Sequence, residues 1–243
     1  MAPAANAQSE VNALVVGAGG LGCAASLALA RAGVRRLTLA DPDSVDATNL
    51  HRQLWHRGSD VGRLKVESAA DRLERAFPGL AVARVPSAVS AGNAESLFRR
   101  HTLVLDATDG DAVKFLLSDA AVLTGVPLVY GGALRLGGQV MRVAPGGPCL
   151  RCLFEGPPPP GARATCAEAG VLGPVVGAVG ALQAVVALSP RRSDGIERWY
   201  RLEGAALAMR VVDVHRAEDC QACGPGRKSA PILVDAIGAA CAR

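Results

Sequence analysis

Aromatic side chains are scarce in this chain: two Trp, two Tyr and four Phe, 3% of its 243 residues. A row of base-stacking rings, as single-stranded nucleic-acid binders use, is therefore not expected. The core has to be assembled from Ala, Val and Leu. Charge of one sign is not in large excess either. The formal net charge is +4 and is spread along the chain; it suits a small anionic ligand and gives no electrostatic footprint for nucleic acid. The start, "MAPAANAQSE", lacks the basic and apolar regions of a secretory signal and is expected to be a disordered lead-in over residues 1–10. The seven cysteines are an odd number. Without a signal, that argues against a disulfide framework and for a reducing, cytoplasmic compartment. Long hydrophobic runs are missing apart from "AGVLGPVVGAVGALQAVVAL". It carries Gln183 and several glycines and reads as a buried helix, so no membrane span is expected. No internal repeat is visible.

What is present alternates regularly. Half of the residues are hydrophobic, enough for one sizeable core. Residues 11–16, "VNALVV", read as a strand, "GAGGLG" as a turn, "CAASLALARAG" as an Ala-rich helix and "RRLTLAD" as a second strand. That is the β–turn–α–β unit of a mononucleotide-binding fold. Helices are then expected in "GRLKVESAADRLERAF", "AESLFRRH" and "AVKFLLSDAAVLTG", and strands in "LAVARVPS", "TLVLDATD" and "PLVYGGA". Such alternation predicts an α/β fold, a Rossmann-like and mostly parallel sheet with helices on both faces. After residue 133 the pattern changes. "RLGGQVMRVAP" and "WYRLEGAALAMRVVDV" are expected to be antiparallel strands, with the loop "EGPPPPGAR" and the apolar helix between them. The expected organisation is one domain over residues 11–224, with a nucleotide-binding half (11–133) and an antiparallel half (134–224), then a tail over 225–243.

Gly17, Gly19 and Gly22, with Gly20 among them, form G-x-G-x-x-G between a strand and a helix. Glycine there lets backbone amides approach a phosphate, whose charge the helix dipole favours. Asp41 ends the second strand about twenty residues on, where a carboxylate can accept ribose hydroxyls. These features indicate a nucleotide without saying which, and a glycine-rich turn also serves close helix–sheet packing.

The loop "ADPDSVDATNLHRQ" then gathers Asp41, Asp43, Asn49, Arg52 and Gln53, and Lys65 opens the next helix. A dehydrogenase has no use for this set. An arginine and a lysine converging near a helix N-terminus suit a triphosphate. "DATDGD" places Asp106, Asp109 and Asp111 at the end of the fourth strand, and Asp109 is the natural Mg²⁺ ligand there. Taken singly, Arg52 or Lys65 reads as a solvated cation and Asp109 as a helix N-cap. "CLRC" and "CQAC" supply Cys149, Cys152, Cys220 and Cys223. Two C-x-x-C pairs in a reducing compartment suit a tetrahedral zinc site; a redox dithiol is the alternative. Cys23 reads as packing, and Cys241 carries no argument.

"GAGGLG", "DPDSVDATNLHRQ", "VGRLKVESA" and "DATDG" occur in the order and spacing of the MoeB/ThiF/HesA proteins, bacterial relatives of the ubiquitin-activating enzymes, which the chain resembles over about residues 11–224. The resemblance implies ATP-dependent adenylation of the C-terminal Gly-Gly of a small ubiquitin-like sulfur carrier protein by a homodimer. It implies zinc at the two cysteine pairs. It assigns the ribose to Asp41, with Asp43 beside it, and the phosphates to Asn49, Arg52 and Lys65 supported by Gln53. Asp109 would hold Mg²⁺. A carboxylate nucleophile is already ionised at neutral pH, so His51, His56, His101 and His215 are given no role. Cys166, in "ATCAEAGVLGP", is either a thiol that attacks the acyl adenylate or exchanges sulfur, or an ordinary small buried residue. Relatives bring an arginine to the partner subunit's ATP from a helix before the first strand; the residues ahead of that strand here contain no Arg or Lys, and the family's "TDN" is "TDG" at Gly110. The sulfur donor is expected to be a separate protein. An NAD-dependent oxidoreductase and a scaffold with weakened catalysis are the other readings.

Overall fold

The structure, a computed structural model, describes residues 8–159 and 169–226. Its frame is an eight-stranded sheet in the order β3-β2-β1-β4-β5-β6-β7-β8. The five strands β1 (Asn12–Val16), β2 (Arg36–Ala40), β3 (Ala81–Val85), β4 (Leu103–Asp106) and β5 (Leu128–Leu134) run parallel. Then β6 (Gly137–Val143), β7 (Glu197–Glu203) and β8 (Ala208–Val214) continue the sheet antiparallel. The expected fold class and the change of style after residue 133 are both present.

Strand β1 shows why the parallel part forms. Its side chains alternate between two cores: Ala13 and Val15 enter one, Leu14 and Val16 the other. A strand buried on both faces needs continuous apolar sequence and helices on either side. The first face is covered by α1 (Gly20–Arg31), α2 (Lys65–Ala76) and α6 (Gly173–Leu188), through Leu29, Val66, Leu73 and Val179 among others. The second is covered by α3 (Ala94–Arg99), α4 (Asp111–Thr124) and the short α5 (Leu150–Phe154), through Leu97, Phe98, Leu117 and Leu150. Among the described α-helices only α5 had no expected counterpart; a single turn of helix that follows Cys149 and carries Cys152 has no periodicity to read.

The apolar run is α6, and it packs against α1 rather than lipid. A Cβ on Gly180 would stand 2.5 Å from the Leu21 carbonyl oxygen, so the two helices touch backbone to backbone. Gln183 is fully buried and donates to the carbonyls of Asp106 (2.7 Å) and Val129 (3.1 Å), tying α6 to β4 and β5. None of the described helices is long and apolar enough to cross a membrane.

The registers align the carboxyl ends of the central strands. Val16 pairs with both Ala40 and Asp106, and Asp106 with Tyr130. The strand order reverses between β1 and β4, which is where open α/β sheets bind ligands. The chain turns from β1 into α1 through the tightest contact of the fold: a Cβ on Gly22 would lie 1.8 Å from the Gly17 carbonyl oxygen. Gly22→Ala is therefore expected to destabilise by about 3 kcal/mol or more. Gly58→Ala, where nothing lies within 4 Å of the added carbon, should change little. Urea denaturation of the two variants beside wild type checks this.

Candidate nucleotide site and cysteine cluster

At the end of β1 the chain is pinched between its neighbours. Gly17 donates its amide to Ala40 at 2.7 Å, and Ala107 donates to Val16 at 2.8 Å. Gly17 has φ +97°, and a Cβ there would meet the Ala107 oxygen at 2.6 Å. Gly20 has no room either, because Val176 of α6 would stand 2.6 Å from its Cβ. Three of the four motif glycines are thus demanded by packing. Gly19 differs: the nearest atom to an added Cβ is Gln53 Nε2, at 3.5 Å. Gly19 is also the N-cap of α1 and offers no side-chain cap, so the first-turn amides keep their affinity for an anion.

Asp41 anchors this turn. It is buried, and its Oδ2 accepts the Ala18 amide at 2.7 Å while Oδ1 accepts the Asp43 amide at 2.8 Å. Each oxygen keeps a further lone pair for a ribose hydroxyl. Burial pushes the Asp41 carboxyl above its ordinary value, and the Lys65 cation and these two amides oppose the shift. Lys65 is buried at the first position of α2, with Nζ 2.7 Å from Asp43 Oδ2. It is therefore no solvated surface cation, and Asp43 holds it in place. Asn49 closes a 3₁₀ turn, Ala47–Asn49, capped by Asp46. Arg52 packs its Cγ 3.5 Å from the Gly20 Cβ position, and its own backbone meets Gly173 at the start of α6. Gln53 is buried, and its Oε1 has no hydrogen-bond partner. A buried side-chain amide with an unpartnered oxygen, and its nitrogen beside the open glycine position, fits a site built for a polar ligand.

The acids after β4 separate cleanly. Asp106 is fully buried; Oδ1 takes the amide and hydroxyl of Thr108, and Oδ2 lies 3.3 Å from Lys114 Nζ. It shapes the turn. Asp109 lies exposed on that turn, and the N-cap of α4 is Gly110, so Asp109 does not cap the helix. A carboxylate at a strand end, exposed and facing no cation in a described ion pair, is what a hydrated Mg²⁺ needs. Asp111 is the first residue of α4. With Lys114, Phe115, Tyr130, Leu150, Phe154, Gly156 and Pro158 it lines a cavity of about 170 Å³ next to this turn.

The cysteine pairs meet as expected. The sulfurs of Cys149, Cys152, Cys220 and Cys223 all lie within 4.8 Å of one another. Cys149 and Cys220 are 3.6 Å apart, and Cys152 and Cys223 3.3 Å. Four ligands about 2.3 Å from one zinc would be about 3.8 Å apart, so the cluster fits the ion. All four are free thiols. Cys152 is drawn below the ordinary thiol value by hydrogen bonds from Cys149 and Cys223, while Cys149 is driven far above it. One pair sits on α5, which is fixed to α4 by the Arg151–Asp119 fork (3.0 and 2.7 Å). The other follows β8, so a metal would clip the end of the antiparallel half onto α4. Cys166 and Cys241 lie outside the described residues. Cys23 is buried packing, its thiol pushed up to about 12 by burial.

Residues 4–220 match the ThiF family. This chain belongs to that family. It is 45% identical over 195 residues to the adenylyltransferase and sulfurtransferase uba4 of Emericella nidulans, covering 76% of this chain and 40% of that protein. It is 42% identical over 219 residues to the adenylyltransferase and sulfurtransferase MOCS3 of Culex quinquefasciatus, covering 88% of this chain and 50% of that one. The ThiF-family chain thus spans half or less of the length of these relatives. The fold is shared with E. coli MccB crystallised with ATP: TM-score 0.77 at 17% identity, over 90% of this chain and 68% of the other.

Within this ThiF-family domain, sequence reading missed three buried polar residues that hold the site together. Lys114 donates to the carbonyls of Thr108 (2.6 Å) and Gly131 (2.7 Å) as well as reaching Asp106. His56 and Gln183 likewise bond to backbone. Lys114 and Gln183 lie in apolar helices and His56 in a polar loop, where none of them gives a spacing signal; only burial would have revealed them. For the cysteine cluster, purified protein is expected to contain about one zinc per chain. Removing it with a chelator should lower the melting temperature by several degrees, as should Cys220→Ser; metal analysis and a thermal melt check both.

Proposed function

We propose that this ThiF-family chain is an adenylyltransferase: it transfers AMP from ATP to the C-terminal Gly-Gly carboxylate of a small ubiquitin-like carrier protein and releases pyrophosphate. The observation that carries the reading is the open position at Gly19, bordered by the Gln53 side-chain nitrogen, on a turn that Asp41 ties to the backbone of Asp43, the partner of Lys65. Asp41 would hold the ribose. Asn49, Arg52 and Lys65 would neutralise the phosphates, with the amides of α1 beneath them. Asp109 would hold Mg²⁺, which when bound would offset the charge of the phosphates.

The incoming group is a carboxylate, so no base is needed. Carboxylate oxygen bonds to the α-phosphorus as the bond to the pyrophosphate oxygen breaks. The protein's work is to align two anions and hold cations around them. The cavity at Asp111, Lys114 and Tyr130 is of a size and position to receive an extended tail. The exposed β8 side chains Met209 and Val211, on one face of the strand, offer an apolar surface for the carrier's body. On α6 the outward residues Pro174, Ala178, Ala181 and Val185 are exposed, an apolar stripe that suits the expected homodimer. Zinc belongs at the cysteine cluster, and a sulfur donor would be a separate protein. A cytoplasmic location remains the expectation.

Pyrophosphate exchange into ATP, with a carrier ending in Gly-Gly, tests the reading. Wild type is expected to catalyse exchange, and Asp109→Asn and Lys65→Met to lower it by about 100-fold or more. No exchange, together with metal-independent binding of NAD(H), would favour the oxidoreductase instead. ATP binding without exchange would favour the scaffold.

A further inference from the structure

His56 was given no task by the chemistry above, yet it is buried and both ring nitrogens are engaged. Nε2 lies 3.0 Å from the carbonyl oxygen of Ala18, and Nδ1 lies 2.9 Å from the Ser68 hydroxyl on α2. A carbonyl only accepts, so Nε2 carries the proton. Burial holds the ring below the ordinary imidazole value, with Lys65 adding to the shift and Asp60 and Asp41 opposing it. In the neutral ring Nδ1 is then an acceptor facing the Ser68 hydroxyl, whose single proton the Asp60 carboxylate also draws on.

The Ala18 carbonyl is not an incidental partner. It shares one rigid trans peptide unit with the Gly19 amide, whose N–H points opposite to the C=O. Turning the carbonyl toward His56 aims the Gly19 N–H away from the ring, and Gly19 is the one of the four motif glycines that packing does not demand. On the other side, Ala18 donates its own amide to Asp41 at 2.7 Å. The buried Cys23 thiol adds a weak donor, 3.5 Å from the same carbonyl. The loop that carries His56 is itself docked on α1, where Trp55 Nε1 donates to Ser26 Oγ at 3.0 Å.

We propose that His56, oriented by Ser68, is a positioning residue that aims the Gly19 amide at a phosphate oxygen of the bound nucleotide. This rests on the nucleotide reading above and adds a specific donor to it. It also couples two parts of the site. Ser68 lies one turn along α2 from Lys65, so the helix that presents the phosphate lysine also sets the ring that aims the amide.

Two substitutions separate the aim from mere filling of space. A glutamine at 56 can put an amide N–H where Nε2 stands, whereas an asparagine reaches only to the level of Nδ1. His56→Gln is expected to bind Mg·ATP within about threefold of wild type in calorimetry, and His56→Asn about tenfold more weakly, the scale of one lost hydrogen bond at a buried acceptor. Equal affinities for both variants, whether unchanged or equally weakened, would overturn the proposal. Wild type alone supplies a second readout that needs no variant to fold. Imidazole ¹⁵N shifts near pH 7.5 should show His56 protonated at Nε2, and the Gly19 amide resonance should move on addition of Mg·ATP. A proton on Nδ1 instead, or a Gly19 amide indifferent to bound nucleotide, would contradict it. Wild type that binds no Mg·ATP would overturn the nucleotide reading itself, leaving the imidazole shifts to decide whether His56 donates to Ala18.

Discussion

The whole site depends on one close contact, the crossing of α1 over the end of β1. Because Gly22 lacks a side chain, its Cα sits against the Gly17 carbonyl, in a gap where a Cβ would be 1.8 Å from the oxygen. That contact brings the N-terminus of a 12-residue helix down onto the sheet edge. The aligned ends of β1, β2 and β4 then surround it. Asp41 at the end of β2 and Asp106 at the end of β4 each use their oxygens on backbone or lysine donors, so two buried acids brace the turns on either side. The groups proposed to meet the ligand stand beside this bracing: Gly19, Gln53, Arg52 and Asp109.

The electrostatics follow the same division. Lys65 and Lys114 are buried cations, and each is compensated before any ligand arrives, by Asp43 at 2.7 Å and by Asp106 at 3.3 Å with two carbonyls. A buried ammonium without such partners would lose its proton or its place. Asp43 is mostly exposed at 63%, so its hold on Lys65 is screened by water, which suits the phosphate-binding role proposed for Lys65. Asp106 is wholly buried, so Lys114 has no comparable freedom and serves the turn that carries Asp109. This distinguishes a lysine poised for a ligand from one built into the frame, though both look alike in sequence.

Much of the fold was legible because its signals are periodic. Runs such as "NALVV" and "TLVLD" announce strands buried on both faces, and the amphipathic spacing of α2 announces a helix whose first residue is Lys65. The paired C-x-x-C spacing announced the sulfur cluster. What could not be read was anything that depends on three-dimensional proximity. Asp109, read in sequence as the Mg²⁺ ligand, could, taken alone, have been a helix cap; folding gives that position to Gly110. His56 looked idle because its partners, Ala18 and Ser68, are brought to it only by folding. Gln183 counted in sequence merely as a polar interruption of an apolar run, yet it is the side chain that fastens α6 to β4 and β5.

The most direct test of the account is a crystal structure of the zinc-loaded protein with a non-hydrolysable ATP analogue and Mg²⁺. The account predicts phosphate oxygens against the Gly19 amide, with the Arg52 and Lys65 side chains turned toward them and the metal on Asp109. A nucleotide bound elsewhere on the molecule, or an undisturbed Asp43–Lys65 pair beside an empty glycine turn, would contradict it.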